Sequence, residues 1–225
     1  MEIIAPNQFE TGYIFNAQEV REATTQNYRD FLKEAGYVDL KETPNLFVAH
    51  KVLRVDEKVT KEAKRAEIEV YQDVRWCVNY TNQRNALYLI HNLGGSVLTS
   101  RLMYGLVIPH LKQSSGGEAK ITLEEMTSSM AEFLADSILN KNTVKIGNAE
   151  RPVNLPQQDG SFNSSDLNEF GYPVNLTHSG EFYYRFLRRN EIVVIRNGSS
   201  GLNLNCNRVP SYVNVDLGVR FAKFF

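Results

Sequence analysis

The sequence contains little cysteine, which limits the metal and redox chemistry that it can support. Cys77 and Cys206 are the only cysteines among 225 residues, and they do not form a CxxC pair. This spacing favours two buried free thiols in a reducing compartment, with a disulfide between them as the alternative. The four histidines are scattered, and none has a histidine or cysteine partner at the spacing of zinc ligands. We therefore expect no zinc site.

An excess of charge of one sign is also missing. Lys and Arg number 25 and Asp and Glu number 26, so the formal net charge is -1. This balance argues against a dedicated duplex-DNA binder, although a local basic patch would be compatible with it. No apolar run approaches the roughly 18 residues of a membrane span, and no basic segment followed by an apolar run opens the chain. We expect no membrane partner, no secretory signal peptide, and a location in a virion or in the cytoplasm.

Catalytic and cofactor motifs are absent from the sequence. It has no GxSxG motif, and Gly94-Gly95 lacks both the spacing and the preceding strand of a phosphate-binding loop. Residues 159–170 alternate oxygen-bearing side chains as a calcium loop does, but Ser164 and Phe170 occupy the positions that need Gly and Glu. We therefore predict that the protein has no cofactor and is not an enzyme.

Proline and glycine are absent from residues 57–93, which carry the longest helical pattern in the chain. One face of the predicted helix is apolar, and the opposite face is charged. Such a helix would be the element against which the rest of the chain packs. The apolar positions are Val59, Ala63, Ala66, Val70, Val74 and Cys77.

The residues before this stretch predict a helix and a strand. Apolar periodicity indicates a helix over residues 17–35, which Asn16 would cap and Gly36 would end. Residues 46–55 are rich in β-branched side chains and are typical of a strand. The sequence leaves open whether this strand pairs with strands near the end of the chain.

Two more helices are predicted after residue 93. Ser96 is a candidate N-cap for a helical segment that Pro109 would end or kink. Thr122 and Glu125 have the spacing of a capping box, in which each side chain accepts a hydrogen bond from the other residue's backbone. The helix that they open would extend over residues 122–140.

The last part of the chain changes from polar to alternating apolar. Residues 142–180 show no clear period and predict a long polar loop that is disordered, functional or held by a neighbouring molecule. Residues 181–188 and 191–196 predict a hairpin, a second turn is predicted to begin at residues 197–198, and residues 211–221 predict another strand.

These elements predict an α+β fold in which a helical N-terminal two thirds is followed by a long polar loop and a small antiparallel β-sheet. The corresponding regions are a mainly helical region at 1–141, the loop at 142–180 and an antiparallel β region at 181–225. We expect the three to form one composite domain.

Aromatic and basic residues interleave in the first predicted strand of the hairpin. Alternation places Phe182 and Tyr184 on one face of this strand and Tyr183 and Arg185 on the other. Tyrosine can stack on bases while arginine holds phosphate, so the hairpin is a candidate contact for single-stranded nucleic acid. The favoured interpretation is a strand whose aromatic side chains pack inward and whose arginines face solvent or a protein partner. The candidate contact residues are Tyr183, Arg185, Arg188, Arg189 and Arg196.

The sequence supports three hypotheses of function. The first is a structural subunit of a large macromolecular assembly, and in its specific form a virion component such as a bacteriophage head–tail connector, neck or tail protein. It is suggested by abundant Asn and Tyr, by the long polar segment, and by residues 1–15, which resemble an extended arm that could contact a neighbouring subunit. Its partners would be other protein subunits in a homo-oligomer. The second is a nucleic-acid-binding subunit of a ribonucleoprotein or processing complex, and the third is an enzyme of unrecognised type.

Overall fold

The structure is a computed structural model. It describes residues 11–37, 43–53, 55–72, 78–79, 82–113, 131–186, 191–198, 201–209, 211–212 and 217–225. The helices are α1 (Ala17–Ala23), α2 (Gln26–Glu34), α3 (Glu57–Arg65), α4 (Gln83–Asn92), α5 (Ser100–Leu102) and α6 (Ile108–Gln113). The strands are β1 (Gly12–Phe15), β2 (Leu46–Val52), β3 (Tyr71–Gln72), β4 (Val78–Asn79), β5 (Ala131–Leu139), β6 (Thr143–Ile146), β7 (Ala149–Pro152), β8 (Gly160–Phe162), β9 (Phe182–Arg185), β10 (Glu191–Gly198), β11 (Gly201–Arg208), β12 (Leu217–Gly218) and β13 (Arg220–Phe224).

The predicted order of a helical region, a polar loop and a small antiparallel sheet is wrong. Strands occur from β1 onward, and they form three sheets that draw on the whole chain. The largest sheet has the order β7-β6-β5-β10-β11-β9-β8, with β12 also paired to β5. It is a mixed sheet, because β9 runs parallel to β11 and β12 runs parallel to β5.

A smaller antiparallel sheet joins the two ends of the described chain. β2 lies in its middle, between β1 and β13. The strand predicted at 46–55 is therefore confirmed at Leu46–Val52, and it does pair with a strand near the end of the sequence. β3 and β4 form a separate two-stranded sheet.

The predicted helix over 17–35 is two helices. The Asn16 cap is confirmed, since its side chain accepts from backbone N–H groups of α1 and Glu19 completes the capping box. The hydroxyl of Thr25 then accepts from Tyr28 N at 3.1 Å and begins α2. Gly36, at a φ of +78°, ends α2 as predicted, because this left-handed backbone carries little strain only in glycine.

The predicted continuous helix over 57–93 is also wrong. α3 ends at Arg65, and Glu67 takes a φ of 54° that no α-helix contains. β3 and β4 follow, and α4 begins anew after Asn82, whose side chain accepts from Asn85 N at 3.0 Å. The stretch is therefore two short helices separated by strand residues.

The helix predicted after Gly94-Gly95 begins later than expected. Thr99 is its N-cap and accepts from Leu102 N at 3.3 Å, whereas Ser96 forms an isolated β-bridge with Ala222. Helical structure then continues through α5, a π-helical turn at Met103–Val107, and α6. Pro109 is the second residue of α6, two residues after the π-helical turn, and the helix continues past it. Proline has no backbone N–H to donate to the preceding turn of a helix, and here that preceding turn is the wider π-helical one.

The predicted helix over 122–140 conflicts with β5. Residues 131–139 form the strand that lies between β10 and β6 in the large sheet. Six of the eight described side chains of β5 are buried, because both faces of the sheet are covered at this strand. Its apolar residues therefore do not alternate with polar ones. Thr122 and Glu125 lie outside the described residues.

The segment predicted as a polar loop contains β6, β7 and β8. It is folded against the rest of the chain, and most of its larger apolar side chains are buried. The expectation that a neighbouring molecule orders this segment therefore loses its basis. The buried side chains include Val144, Ile146, Leu155, Phe162, Phe170 and Tyr172.

β5 separates two hydrophobic clusters. Leu134 and Ile138 belong to the larger cluster, which also contains α1, α2 and the π-helical turn. Phe133 and Ala135 belong to the smaller cluster, which contains the inner faces of α3 and α4. β5, and not the predicted long helix, is therefore the element on which both halves of the core pack.

Candidate functional site

The structure places the predicted contact residues Tyr183 and Arg185 side by side on β9. Both are half-buried, whereas Phe182 and Tyr184 are fully buried on the opposite face. The predicted alternation of this strand is thus confirmed. The aromatic residues that face inward belong to the core and are not free to stack on a base.

The predicted hairpin between β9 and β10 is wrong, because β11 lies between them. β10 and β11 pair antiparallel instead, and their last described pair is Gly198 with Gly201. The turn predicted to begin at 197–198 therefore starts later than expected, because both residues belong to β10, and residues 199–200 lie outside the described part of the chain. Through β11, Arg196 pairs in register with Asn203, and Asn203 pairs with Tyr183. Arg188 and Arg189 lie outside the described residues. Register alone therefore brings Tyr183, Arg185 and Arg196 to one part of the sheet.

Arg185 already has partners within the chain. Its guanidinium carbon lies 4.9 Å from the centre of the Tyr183 ring, and its Nη1 lies 3.2 Å from Oδ2 of Asp159. Asp159 Oδ1 also accepts from Phe186 N at 2.7 Å. Because the carboxylate neutralises the guanidinium, this part of the surface is a weaker phosphate site than the sequence suggested.

A polar pocket of about 420 Å³ lies beside Tyr183, between β8 and residues 176–178. Asp159, which would be the first ligand of a calcium loop, forms the ion pair with Arg185. Asn163 and Asp166 satisfy one another in a capping box at the 3₁₀ turn Ser164–Asp166. The described residues contain no group of three or more His, Cys, Asp or Glu side chains that could hold a metal ion.

A larger cleft follows the outer face of α4. It consists of two adjoining cavities of about 410 and 650 Å³, and Leu87, His91, Ala135 and Gly147 line both of them. The size is that of cavities that accept ligands or peptide side chains. Sequence reasoning missed this cleft because it depends on α4, β5, β6 and β13, which are distant in the chain.

The α4 cleft has a defined chemical character. Among the residues that the structure describes, its lining contains four basic side chains and no carboxylate; the basic residues are Arg84, His91, Lys145 and Lys223. Lys145 donates to Glu150 at 3.0 Å, which offsets one of these charges. Tyr88 lies at the edge of the cleft and is 51% exposed. The cleft therefore offers apolar contact together with positive charge.

A buried carboxylate connects α5 to the large sheet. Asp136 Oδ1 accepts from Ser100 N at 2.9 Å, and Oδ2 accepts from the hydroxyl of Tyr172 at 2.5 Å. Burial raises the pKa of the Asp136 carboxyl, while the hydrogen bonds from Ser100 and Tyr172 act in the opposite direction. Asp136 lines none of the three cavities above, so we assign it a structural role.

A buried ion pair connects the two larger sheets. Arg220 in β13 contacts Glu132 in β5, with Nε 3.0 Å from Oε2, and its side chain is 3% exposed. Arg220 Nη1 also donates to the carbonyl oxygens of Ala49 and His50 in β2. The guanidinium thus joins three strands, and both charges are satisfied within the fold.

The chain matches no protein-family model, and comparisons with curated proteins and with solved structures return no significant match. Among the described residues, no helix has the length and apolar character needed to cross a membrane. The functional assignment therefore depends on the geometry of the chain itself.

Proposed function

We propose that the protein is a structural subunit of a large macromolecular assembly, which it joins by adding a strand to the edge of its small sheet. A virion component, such as a bacteriophage head–tail connector, neck or tail protein, is the most specific form of this proposal. The observation that carries the assembly proposal is the geometry of β1. The virion form depends on the composition of the sequence.

β1 is the edge strand of the small sheet within the described part of the chain. His50 N donates to the carbonyl of Thr11 at 3.1 Å, which identifies these two residues as a hydrogen-bonded pair. Bonded and non-bonded pairs alternate in an antiparallel ladder, so Gly12 and Ile14 direct their N–H and C=O groups away from β2. No strand of the described chain pairs with this edge, so these groups offer a site to a strand of another subunit.

The side chain of Ile14 supports the same interpretation. It is 65% exposed, which is the highest exposure among the large apolar residues described as exposed. Ile14 opposes the half-buried Phe47 in register. An apolar side chain beside an open strand edge favours association, because charged residues or proline commonly protect such edges in monomeric proteins.

The nucleic-acid alternative has weaker support. Tyr183 and Arg185 share a face of β9, as that hypothesis requires, but Asp159 places a carboxylate against the guanidinium. A phosphate would have to displace this carboxylate or share the arginine with it. We therefore favour protein partners, and a homo-oligomer is the simplest arrangement.

Replacing Ile14 with proline tests the strand-edge proposal. Proline removes the outward N–H of residue 14 but no donor of the β1–β2 ladder, and edge strands tolerate proline at such positions. We expect the oligomer to dissociate to the monomer mass in multi-angle light scattering, while the far-ultraviolet circular dichroism spectrum stays unchanged.

The matched control is Ile14→Val, which keeps both the backbone donor and an apolar side chain. It should retain the mass of the wild-type oligomer at equal concentration. An oligomer that persists unchanged in Ile14→Pro would show that β1 is not the joining edge.

A further inference from the structure

We propose that the cleft along α4 binds residues 1–10 of a second copy of the chain. This inference rests on the proposed function, because it requires two copies to associate through β1. It adds the identity of the occupant and the side chains that receive it.

The outer face of α4 is shaped for a peptide segment. Arg84, Leu87, Tyr88 and His91 have the spacing i, i+3, i+4 and i+7, so they form one stripe along the helix. Each of the four lines the cleft. The opposite stripe of α4 is buried in the smaller hydrophobic cluster. The helix is therefore anchored on one side and offers a tyrosine and an arginine, two residue types that anchor protein interfaces, on the other.

The charge of the cleft selects an acidic occupant. No carboxylate is found among the described residues that line either cavity. Arg84 and Lys223 form no ion pair within the described chain, in contrast with Lys145. An acidic segment would be attracted to the cleft, and a basic one would be repelled.

Residues 1–10 have a matching composition. Their sequence is MEIIAPNQFE, which contains Glu2 and Glu10, no Lys or Arg, and the apolar residues Ile3, Ile4 and Phe9. The structure does not describe these residues. They directly precede β1, and ten residues can span up to about 33 Å when extended.

The direction of β1 favours a second copy as the source of the segment. Residues 1–10 leave β1 at the end where Thr11 faces His50. Lys223 lies near the other end, because it opposes Phe47, which in turn opposes Ile14. If two β1 strands pair antiparallel about a two-fold axis, the segment of each copy leaves at the Phe15 end of its partner. There β1 and β2 separate it from Lys223, a distance of three strand spacings or roughly 14 Å.

Zero-length cross-linking of the full-length protein tests this inference. Equal amounts of ¹⁴N- and ¹⁵N-labelled protein are mixed, treated with a carbodiimide that joins carboxylates to amines, and digested for mass spectrometry. We expect Glu2 or Glu10 to be linked to Lys223, with both labels in one linked peptide. Docking raises the local concentration, so the yield should exceed that at the exposed Lys58 of α3 by at least about tenfold.

A charge exchange provides the matched variant. The combination of Glu2→Lys, Glu10→Lys and Lys223→Glu should cross-link again, with the amine and the carboxylate exchanged between the two sites. A yield at position 223 no higher than at Lys58, or linked peptides that carry only one label, would overturn the inference. If light scattering still gave an oligomer that Ile14→Pro dissociates, the proposed function would stand without it. A protein that is monomeric at every concentration would contradict both.

Discussion

Replacing Glu132 with glutamine is expected to lower the free energy of unfolding by about 3–5 kcal/mol, because a buried charge loses its counterion. The guanidinium of Arg220 lies in the interior and would lose the Glu132 carboxylate, whereas its hydrogen bonds to the carbonyl groups of Ala49 and His50 would remain. Urea unfolding followed by circular dichroism gives the free energy directly. The variant should unfold at a lower urea concentration, while the slope of the free energy of unfolding against urea concentration stays unchanged.

Two controls identify burial as the cause of this loss. Glu181→Gln breaks the pair between Lys112 and Glu181, which has a comparable N–O distance of 2.7 Å but lies at the surface. Solvent screens that pair, and its removal should cost less than about 1 kcal/mol. In the second control, Glu132→Leu combined with Arg220→Met should recover at least about 2 kcal/mol of the single-variant loss, since no buried charge remains unpaired. Equal losses in the buried and surface pairs would contradict the assignment.

Replacing Asp136 with alanine is expected to lower the free energy of unfolding by about 3 kcal/mol. The backbone N–H of Ser100 and the hydroxyl of Tyr172 would both lose their acceptor inside the protein, and each unpaired group costs about 1–3 kcal/mol. Asp136→Asn keeps the shape and one acceptor oxygen, so it should lose far less than the alanine variant. Urea unfolding of both variants at neutral pH measures the difference.

The pH dependence of Asp136→Asn separates the charge of this residue from its hydrogen bonds. Burial raises the pKa of the folded carboxyl, whereas the unfolded carboxyl titrates near about 3.9. At any pH between the unfolded and the folded pKa, folding is therefore accompanied by uptake of a proton. As the pH falls through the folded pKa, the wild type gains stability relative to Asp136→Asn. The gain is complete below about pH 4. A difference between the two proteins that does not change with pH would contradict a buried, titrating carboxyl.

The sequence predicted local elements better than long ones. Asn16 and Gly36 were recognised as helix boundaries because their side chain or backbone preference acts within a few residues. The strand β2 and the alternation of β9 were recognised for the same reason. Each of these signals depends only on neighbours in the chain.

The two long helices were predicted wrongly for different reasons. In residues 57–93, the helical period at the start of α3 obscured a change to a period of two residues, which is typical of strands. The apolar residues of the later part lie two or four positions apart: Ile68, Val70, Val74, Trp76 and Val78. In β5, burial on both faces removed the alternation that distinguishes a strand. Short apolar segments of this kind cannot be assigned by periodicity alone.

The candidate interfaces were only partly visible in the sequence. The stripe of Arg84, Leu87, Tyr88 and His91 has helical spacing and could have been found by asking which face of α4 is exposed. Lys223 could not have been added to it, because only the pairing of β13 with β2 brings that residue to the cleft. In the same way, the open edge of β1 becomes evident only when its partner strand is known.

The molar mass of the wild-type protein in solution, measured by multi-angle light scattering over a wide range of concentrations, tests the central proposal most directly. A subunit that associates through the edge of β1 should show a mass that rises from one chain to a defined multiple, and Ile14→Pro should stay at the mass of one chain. If the wild-type protein kept the mass of a single chain at every concentration and the native protein copurified with no other subunit, the proposal of a structural assembly subunit would be contradicted.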